Sequence, residues 1–217
     1  MMAGTFVKRD GPAYIYTTWL AKLLGGLQCT YSAWARAHFK HRKYEESAAD
    51  LVKWNRDHTR LMQARQRELE ADGWTCYAED ANAFKLAGAA AVVAGKPDLV
   101  AVKGDQVLLV DGKTGRERES DIWQVLIYLW ALPKVRPDLA GKSIEGEVYC
   151  RSGAVTLTPG ELDDERRTQL IDLIKVIGGN EAPPKRPSRG ECRMCTIGPQ
   201  DCPERVGAEQ TTAVGDF

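Results

Sequence analysis

The chain has 217 residues, 43% apolar and 28% charged, and its thirty basic and thirty acidic side chains give a formal net charge of zero. That length suits one domain, or one with a small appendage, and buries a sizeable core without help from disulfides. Zero net charge gives no argument for a nucleic-acid partner, so such a partner has to be argued from local patches and a site. No apolar run reaches the roughly 20 residues of a membrane span, and the N-terminus lacks the charged-then-apolar pattern of a secretory leader. The expectation is a cytoplasmic protein whose six cysteines are reduced or metal-bound rather than disulfide-linked.

Residues 1–13 read as irregular. Thr17 or Thr18 caps a helix through Leu24, stopped by Gly25-Gly26, and a second helix covers Tyr31 to His41. The longest helix runs from about Glu45 to Ala71. Along it Leu51, Trp54, His58, Leu61, Arg65 and Leu69 recur at steps of three and four and so share a face. Gly73 ends it. Trp74 to Glu79 is a short strand. Leu86 to Lys113 reads as strands, with β-rich runs at Ala89–Ala94, Leu99–Val102 and Val107–Val110. Ser120 caps a helix from Asp121 to about Leu132, ended by Pro133. Ile144–Cys150 and Ala154–Leu157 form a further strand pair. A helix then runs from Gly160 or Glu161 to Ile177, ended by Gly178-Gly179. Residues 180–191 are a Pro-rich linker, and 192–217 form a loose tail with three cysteines. Helices, then strands, then helices predict an α/β domain with a central sheet flanked by helices. The whole of 1–217 reads as one domain: a helical N-terminal part (14–72), a core (74–178), and a linker with a cysteine-bearing tail (179–217).

Gly104-Asp105 is a two-residue hairpin signal. In that register Lys103 pairs with Gln106, Val102 faces Val107, and Asp98 faces Asp111. Opposite residues on one face have β-carbons roughly 4.5–5.5 Å apart, and Lys113, two residues after Asp111, shares its face. Adjacent carboxylates repel unless protonated or bridged by a cation. Hard divalent ions such as Mg²⁺ or Mn²⁺ take oxygen ligands, and a lysine beside them can hold a phosphate. That set fits metal-assisted phosphodiester hydrolysis.

The runs Gly95-Lys96-Pro97-Asp98, Val110-Asp111-Gly112-Lys113-Thr114-Gly115 and Gln124 to Tyr128 occur in that order. Together they resemble the PD-(D/E)XK nuclease superfamily, in particular its RecB-like branch, with G-x-x-D, D-x-K-T and Q-x-x-x-Y motifs. The arrangement is similar to CRISPR-associated Cas-four exonucleases and to the iron–sulfur nuclease domain of AddB-type recombination enzymes. The resemblance implies a restriction-endonuclease-like mixed sheet and a Mg²⁺- or Mn²⁺-dependent deoxyribonuclease acting on DNA ends or single strands. It implies Asp98 and Asp111 as metal ligands and Lys113 as the catalytic lysine. Gln124 and Tyr128 would contact DNA or brace the site. The Gly112 carbonyl and His58, on the apolar stripe of the long helix, would be further ligands, and Glu79 is a candidate for an additional acidic role. Two features depart from the pattern. Pro97 removes a backbone donor from the G-x-x-D strand and favours an edge or bulge there, and the second carboxylate is the shorter Asp.

Cys192, Cys195 and Cys202 form a C-x2-C-x6-C set that reads as metal-binding and lacks a fourth ligand. The resemblance selects Cys29 and implies a [4Fe–4S] cluster joining the N- and C-terminal parts. Chemistry alone leaves zinc open. Such a staple would close a loop of roughly 160 residues. Cys76 and Cys150 read as small buried residues, and His38 and His41 as surface ones. Three basic patches could meet phosphate: Arg36, Lys40, Arg42 and Lys43; Arg56, Arg60, Arg65 and Arg67; and Lys185, Arg186, Arg189 and Arg193. Tyr31 and Trp34 beside the first would suit single-stranded DNA. The resemblance also leaves open a weakly active DNA-binding module within a CRISPR-adaptation or recombination complex, and a redox or metal-sensing protein built on the cysteines is a further alternative.

Overall fold

The alternation of short β-rich runs with long amphipathic ones produces a mixed sheet held between helices. A computed structural model describes residues 6–41, 49–193 and 195–207, with the side chains of 49–51 and of Glu79 outside that description. The strands are β1 (Val7–Lys8), β2 (Ala13–Tyr16), β3 (Phe39–Lys40), β4 (Thr75–Ala78), β5 (Phe84–Ala87), β6 (Ala91–Gly95), β7 (Leu99–Lys103), β8 (Gln106–Lys113), β9 (Ser143–Cys150) and β10 (Gly153–Leu157). The helices are α1 (Thr17–Leu24), α2 (Thr30–His38), α3 (Ala49–Ala71), α4 (Glu119–Val135), α5 (Asp164–Gly178) and α6 (Arg189–Arg193). Among these no helix is long and apolar enough to cross a membrane.

The main sheet has the order β10-β9-β8-β7-β4 and is antiparallel except for the parallel β8–β9 pair, which α4 connects. A second sheet has the order β2-β6-β5. The β7–β8 hairpin pairs Lys103 with Gln106 and Leu99 with Val110 around a Gly104 of φ +60°, the register that the Gly-Asp turn dictates.

Strand alternation decides what each face of the sheet meets. Leu99, Ala101, Leu108 and Val110 pack with Leu69 and Met62 of α3. Val100, Val107 and Leu109 pack on the other side with Val125, Leu126 and Leu129 of α4. The same parity sends Asp111 and Lys113 toward α4, and Gly112 toward α3. Seven consecutive residues of α4, Trp123 to Leu129, are buried, as suits a helix covered on several sides. Gly146 on β9 makes that packing possible, because a β-carbon there would overlap the Val125 side chain.

Several elements differ from the sequence reading. Residues 1–13, expected to be irregular, contain β1 and the first residue of β2. The Ala13-Tyr14-Ile15-Tyr16 run alternates buried and partly exposed residues and pairs in parallel with β6. The second helix ends at His38, and Phe39–Lys40 pairs with β1. The start of the long helix at Glu45 lies outside the described residues. Helix α4 begins at Glu119, with the Asp121 carboxylate accepting from Arg118 N, and runs through Pro133 to Val135. Pro133 falls in the last turn and forgoes only its own bond to the Leu129 carbonyl, while Arg136 N–H still donates to the Leu132 carbonyl. Helix α5 starts at Asp164 rather than Gly160 or Glu161, because the Asp163 carboxylate caps it by accepting from Arg166 N at 2.8 Å. Pro97 lies between β6 and β7 rather than within a strand.

Replacing Gly146 with Ala overpacks the α4–β9 contact. The expected cost is about 1–3 kcal/mol, read as a lower midpoint in chemical or thermal unfolding. An unchanged midpoint would show that α4 does not lie as tightly on β9 as described.

Candidate active site

The end of β8 outruns β7, so Asp111, Gly112 and Lys113 pair only with β9. On the β7 side the Pro97 carbonyl is taken up by Asn82 Nδ2 at 3.3 Å. The Gly112 N–H instead donates to Asp98 Oδ2 at 2.8 Å, fixing that carboxylate just ahead of β7. His58 Nε2 reaches the same oxygen at 3.1 Å from α3. A β-carbon on Gly112 would overlap Met62 Sδ and lie 3.4 Å from His58 Nε2, so the bare glycine is what lets α3 sit this close.

On the opposite face, Asp111 is 2% exposed. Its Oδ1 accepts from Gln124 Nε2 at 2.8 Å. Its Oδ2 stands 2.7 Å from Lys113 Nζ but has no hydrogen bond of good geometry among the described groups. Gln124 is the hub of this side. Its amide nitrogen also donates to the Tyr128 hydroxyl at 2.8 Å, and its oxygen accepts from Lys113 Nζ at 3.2 Å. The i, i+4 spacing of Gln124 and Tyr128 on α4 supplies this bracing. Tyr128 is buried, and its hydroxyl donates in turn to the Lys96 carbonyl at 3.3 Å. Asp121, one turn before Gln124, has Oδ1 3.5 Å from Lys113 Nζ. The sequence reading named Asp121 only as the start of a helix.

The electrostatics follow from burial. Desolvation raises the Asp111 pKa to about 6, with Lys113 opposing the rise and the Asp98 charge adding to it. Burial works against the Lys113 ammonium, but Asp111, Asp121 and Asp98 outweigh it and push its pKa up. The hydrogen bond to Asp98 raises His58 in spite of partial burial, helped by Asp111 and the Gly112 backbone. Burial also pushes the Tyr128 phenol up.

These groups open onto one cleft of about 960 Å³, at the upper end of the range for ligand sites. It brings together Asp98, Asp111, Gly112, Lys113, Gln124, Tyr128 and His58. The sequence reading missed its lysines, Lys22, Lys85 and Lys96, because they come from separate elements. Lys22 is accessible at the rim, yet partial burial and the nearby cations Arg36, Lys113 and Arg118 hold its pKa below the usual lysine range.

The expected phosphate patches fare differently. Arg36 lies 4.3 Å over the Trp19 ring, and Arg65 forms a two-pronged pair with Glu147 at 2.8 and 2.6 Å. Lys185 is paired with Glu204. Arg42 and Lys43 lie outside the described residues. Trp34 is buried with its indole N–H donating to the Gly179 carbonyl, and Tyr31 is half-buried under Lys185, so neither is an open stacking surface. His38 and His41, expected at the surface, are half-buried: His38 Nε2 meets the Ile177 carbonyl and His41 Nε2 meets Thr196. Cys150 is buried and Cys76 half-buried.

Cys29 stands at the N-terminus of α2, and Cys192, Cys195 and Cys202 belong to the tail. All four line one small pocket as free thiols. Arg205 braces the tail by donating to the Cys195 and Ile197 carbonyls, and Glu191 ties it to the start of α2 by accepting from Gln28 N. The donor chemistry fits a thiolate-bound metal group. Among the described residues, however, no three His, Cys, Asp or Glu side chains are gathered as a finished ligand set, here or in the acidic cleft. In the cleft each carboxylate is engaged instead by protein donors. The buried Asp111 Oδ2, lacking a good hydrogen bond, and the neighbouring Asp98 fit a divalent cation. The Glu79 side chain lies outside the described residues.

The model of the PD-(D/E)XK nuclease superfamily matches residues 23–200. The chain belongs to the PD-(D/E)XK nuclease superfamily. That membership makes it a nuclease by family and agrees with a mixed sheet between helices. A solved structure described as the crystal structure of SSO0001 aligns at 14% identity over 92% of this chain and 90% of that one, with a TM-score of 0.49. No curated protein matches.

Asp111 binds its proton more tightly folded than unfolded, because its pKa rises from 3.8 to about 6. Its contribution is therefore most favourable below 3.8 and is lost as pH climbs through 6. In metal-free nuclease, Asp111→Asn should raise the melting temperature at neutral pH by about 2–4 °C, with the gain shrinking as pH falls toward 3.8. A lower melting temperature at neutral pH would contradict the assignment.

Proposed function

We propose that the protein is a divalent-metal-dependent deoxyribonuclease of the RecB-like kind, releasing nucleotides from DNA ends or single strands. The observation that carries this reading is the buried Asp111 beside Asp98 and Lys113 in one open cleft. Asp98 and Asp111 would hold Mg²⁺ or Mn²⁺, with His58 and the Gly112 carbonyl as further ligands. A cation there supplies the Lewis acidity that polarises a phosphoryl oxygen and activates the attacking water.

The chain's own residues do the rest. Lys113 Nζ, tethered by Asp111, Asp121 and Gln124, presents a fixed positive charge to phosphoryl oxygens as charge builds on them. Gln124 and Tyr128 keep Asp111 and Lys113 aligned from the buried side and do not need to touch substrate. Lys22 and Lys85 offer cations to the phosphate backbone along the cleft, and Lys96 does so from its pair with Asp80. Cys29, Cys192, Cys195 and Cys202 would hold a [4Fe–4S] cluster that staples the tail to α2. A partner complex in CRISPR adaptation or recombination is consistent with this reading.

Full-length protein should degrade end-labelled single-stranded DNA only when Mn²⁺ or Mg²⁺ is added, and Lys113→Ala should lower kcat by about 10²–10³-fold. DNA binding without cleavage under every metal condition would reduce the protein to a binding module. Anaerobically purified protein should contain iron and acid-labile sulfide, both lost in Cys195→Ala. Zinc in their place would contradict the cluster and leave the nuclease reading standing.

A further inference from the structure

Trp54 stands one helical turn before His58 on α3. Their rings are stacked, with centroids 5.0 Å apart and planes 20° apart, so the indole covers one face of the imidazole. The indole itself is 50% exposed and lines the cleft together with Asp98, Asp111 and Lys113. Burying an aromatic side chain is favourable, so a tryptophan left half in water beside an acidic centre points to a partner that covers it.

A second aromatic wall comes from β2. Tyr14 and Tyr16 line the same cleft, their rings 5.3 Å apart in edge-to-face contact, and Tyr16 is 47% exposed. Lysines line the cleft with these rings. Lys85 lies 5.6 Å over Tyr14, Lys22 stands at the same cleft, and Lys96, also in the lining, is paired with Asp80 at 3.1 Å. Lysines that follow phosphates, interleaved with flat aromatic faces, suit an unpaired strand whatever its sequence, since every base has a π-face. A duplex keeps its bases stacked inside and offers the lysines phosphates, but it offers Trp54 no base.

Resting on the nuclease reading above, we propose that Trp54 is the platform on which an unpaired base next to the scissile phosphate stacks. The base, Trp54 and His58 then form one continuous stack. The position of that base relative to Asp98 and Asp111 is set by a ring contact and not by base-specific hydrogen bonds. Trp54 thereby selects an unpaired strand over a duplex at the cleavage position while remaining indifferent to base identity.

The test compares wild type, Trp54→Ala and Trp54→Phe as full-length proteins. Each is offered a natural single strand, the same strand whose terminal residues lack bases, and a duplex. Affinity is read by fluorescence anisotropy without metal, and cleavage is read with Mn²⁺. Trp54→Ala should lower affinity and kcat/KM for the natural strand about tenfold, the scale of one base–aromatic stack. Trp54→Phe should keep most of both. On the base-free strand, and in duplex affinity, wild type and Trp54→Ala should be equal. An equal loss on natural and base-free strands would overturn the proposal, because Trp54 would then only prop His58. No loss on either would overturn it too. Base- and Trp54-dependent binding by a protein that never cleaves would support the platform and overturn the nuclease reading. Matching thermal melts show that the variants fold, as expected for so exposed a side chain.

Discussion

A carboxylate that is 2% exposed at the end of a strand organises the rest of this molecule. Burying an ionised carboxylate without compensation is costly enough that the group normally takes up a proton instead, and Asp111 is displaced in that direction, to about 6. The protein meets this demand from the α4 side. Gln124 donates to one oxygen, Lys113 stands by the other, and Tyr128 and Asp121 fix Gln124 and Lys113 in turn. What remains is an oxygen with the Lys113 ammonium beside it and the charge of a second carboxylate, Asp98, acting on it. That pairing is unfavourable for a structural core and favourable for a divalent ion.

The parity of one strand makes the site possible. Residues 111 and 113 fall on the face covered by α4, and 112 on the face covered by α3, so the last three residues of β8 draw both helices to one point. The early end of β7 at Leu99, with the Pro97 carbonyl taken up by Asn82 Nδ2, leaves Gly112 N–H free to hold Asp98. The missing β-carbon at Gly112 lets His58 approach. A one-residue slip in the β7–β8 register would send Asp111 to the α3 face and dismantle the arrangement. The tight Gly104-Asp105 turn therefore matters to the chemistry although it lies at the other end of the hairpin.

What could be read from sequence was whatever local rules fix. The hairpin register followed from a two-residue turn, and the shared face of Asp111 and Lys113 from the period of a strand. Cys29 and the tail cysteines line one pocket, a proximity that their spacing along the chain does not reveal. Contacts between distant segments were not legible. Arg36 looked like a phosphate ligand, but its partner is Trp19, and Arg65 finds Glu147 across 82 residues. Trp34 looked like a stacking surface until the Gly179 carbonyl buried its indole. The lysines that do line the cleft, Lys22, Lys85 and Lys96, sit in no charge run. Strand β2 was missed because four alternating residues are a weak signal until β6 pairs with them. Pro133 marked an ending that the helix postpones by a turn.

The central claim is that Asp98 and Asp111 share one cation. The most direct measurement is an anomalous-scattering map from crystals soaked in Mn²⁺. A peak bridging the two carboxylates, with His58 or the Gly112 carbonyl in its coordination sphere, is the predicted result. Strong Mn²⁺ density elsewhere, with Asp111 still closed onto Lys113 and Gln124, would contradict it.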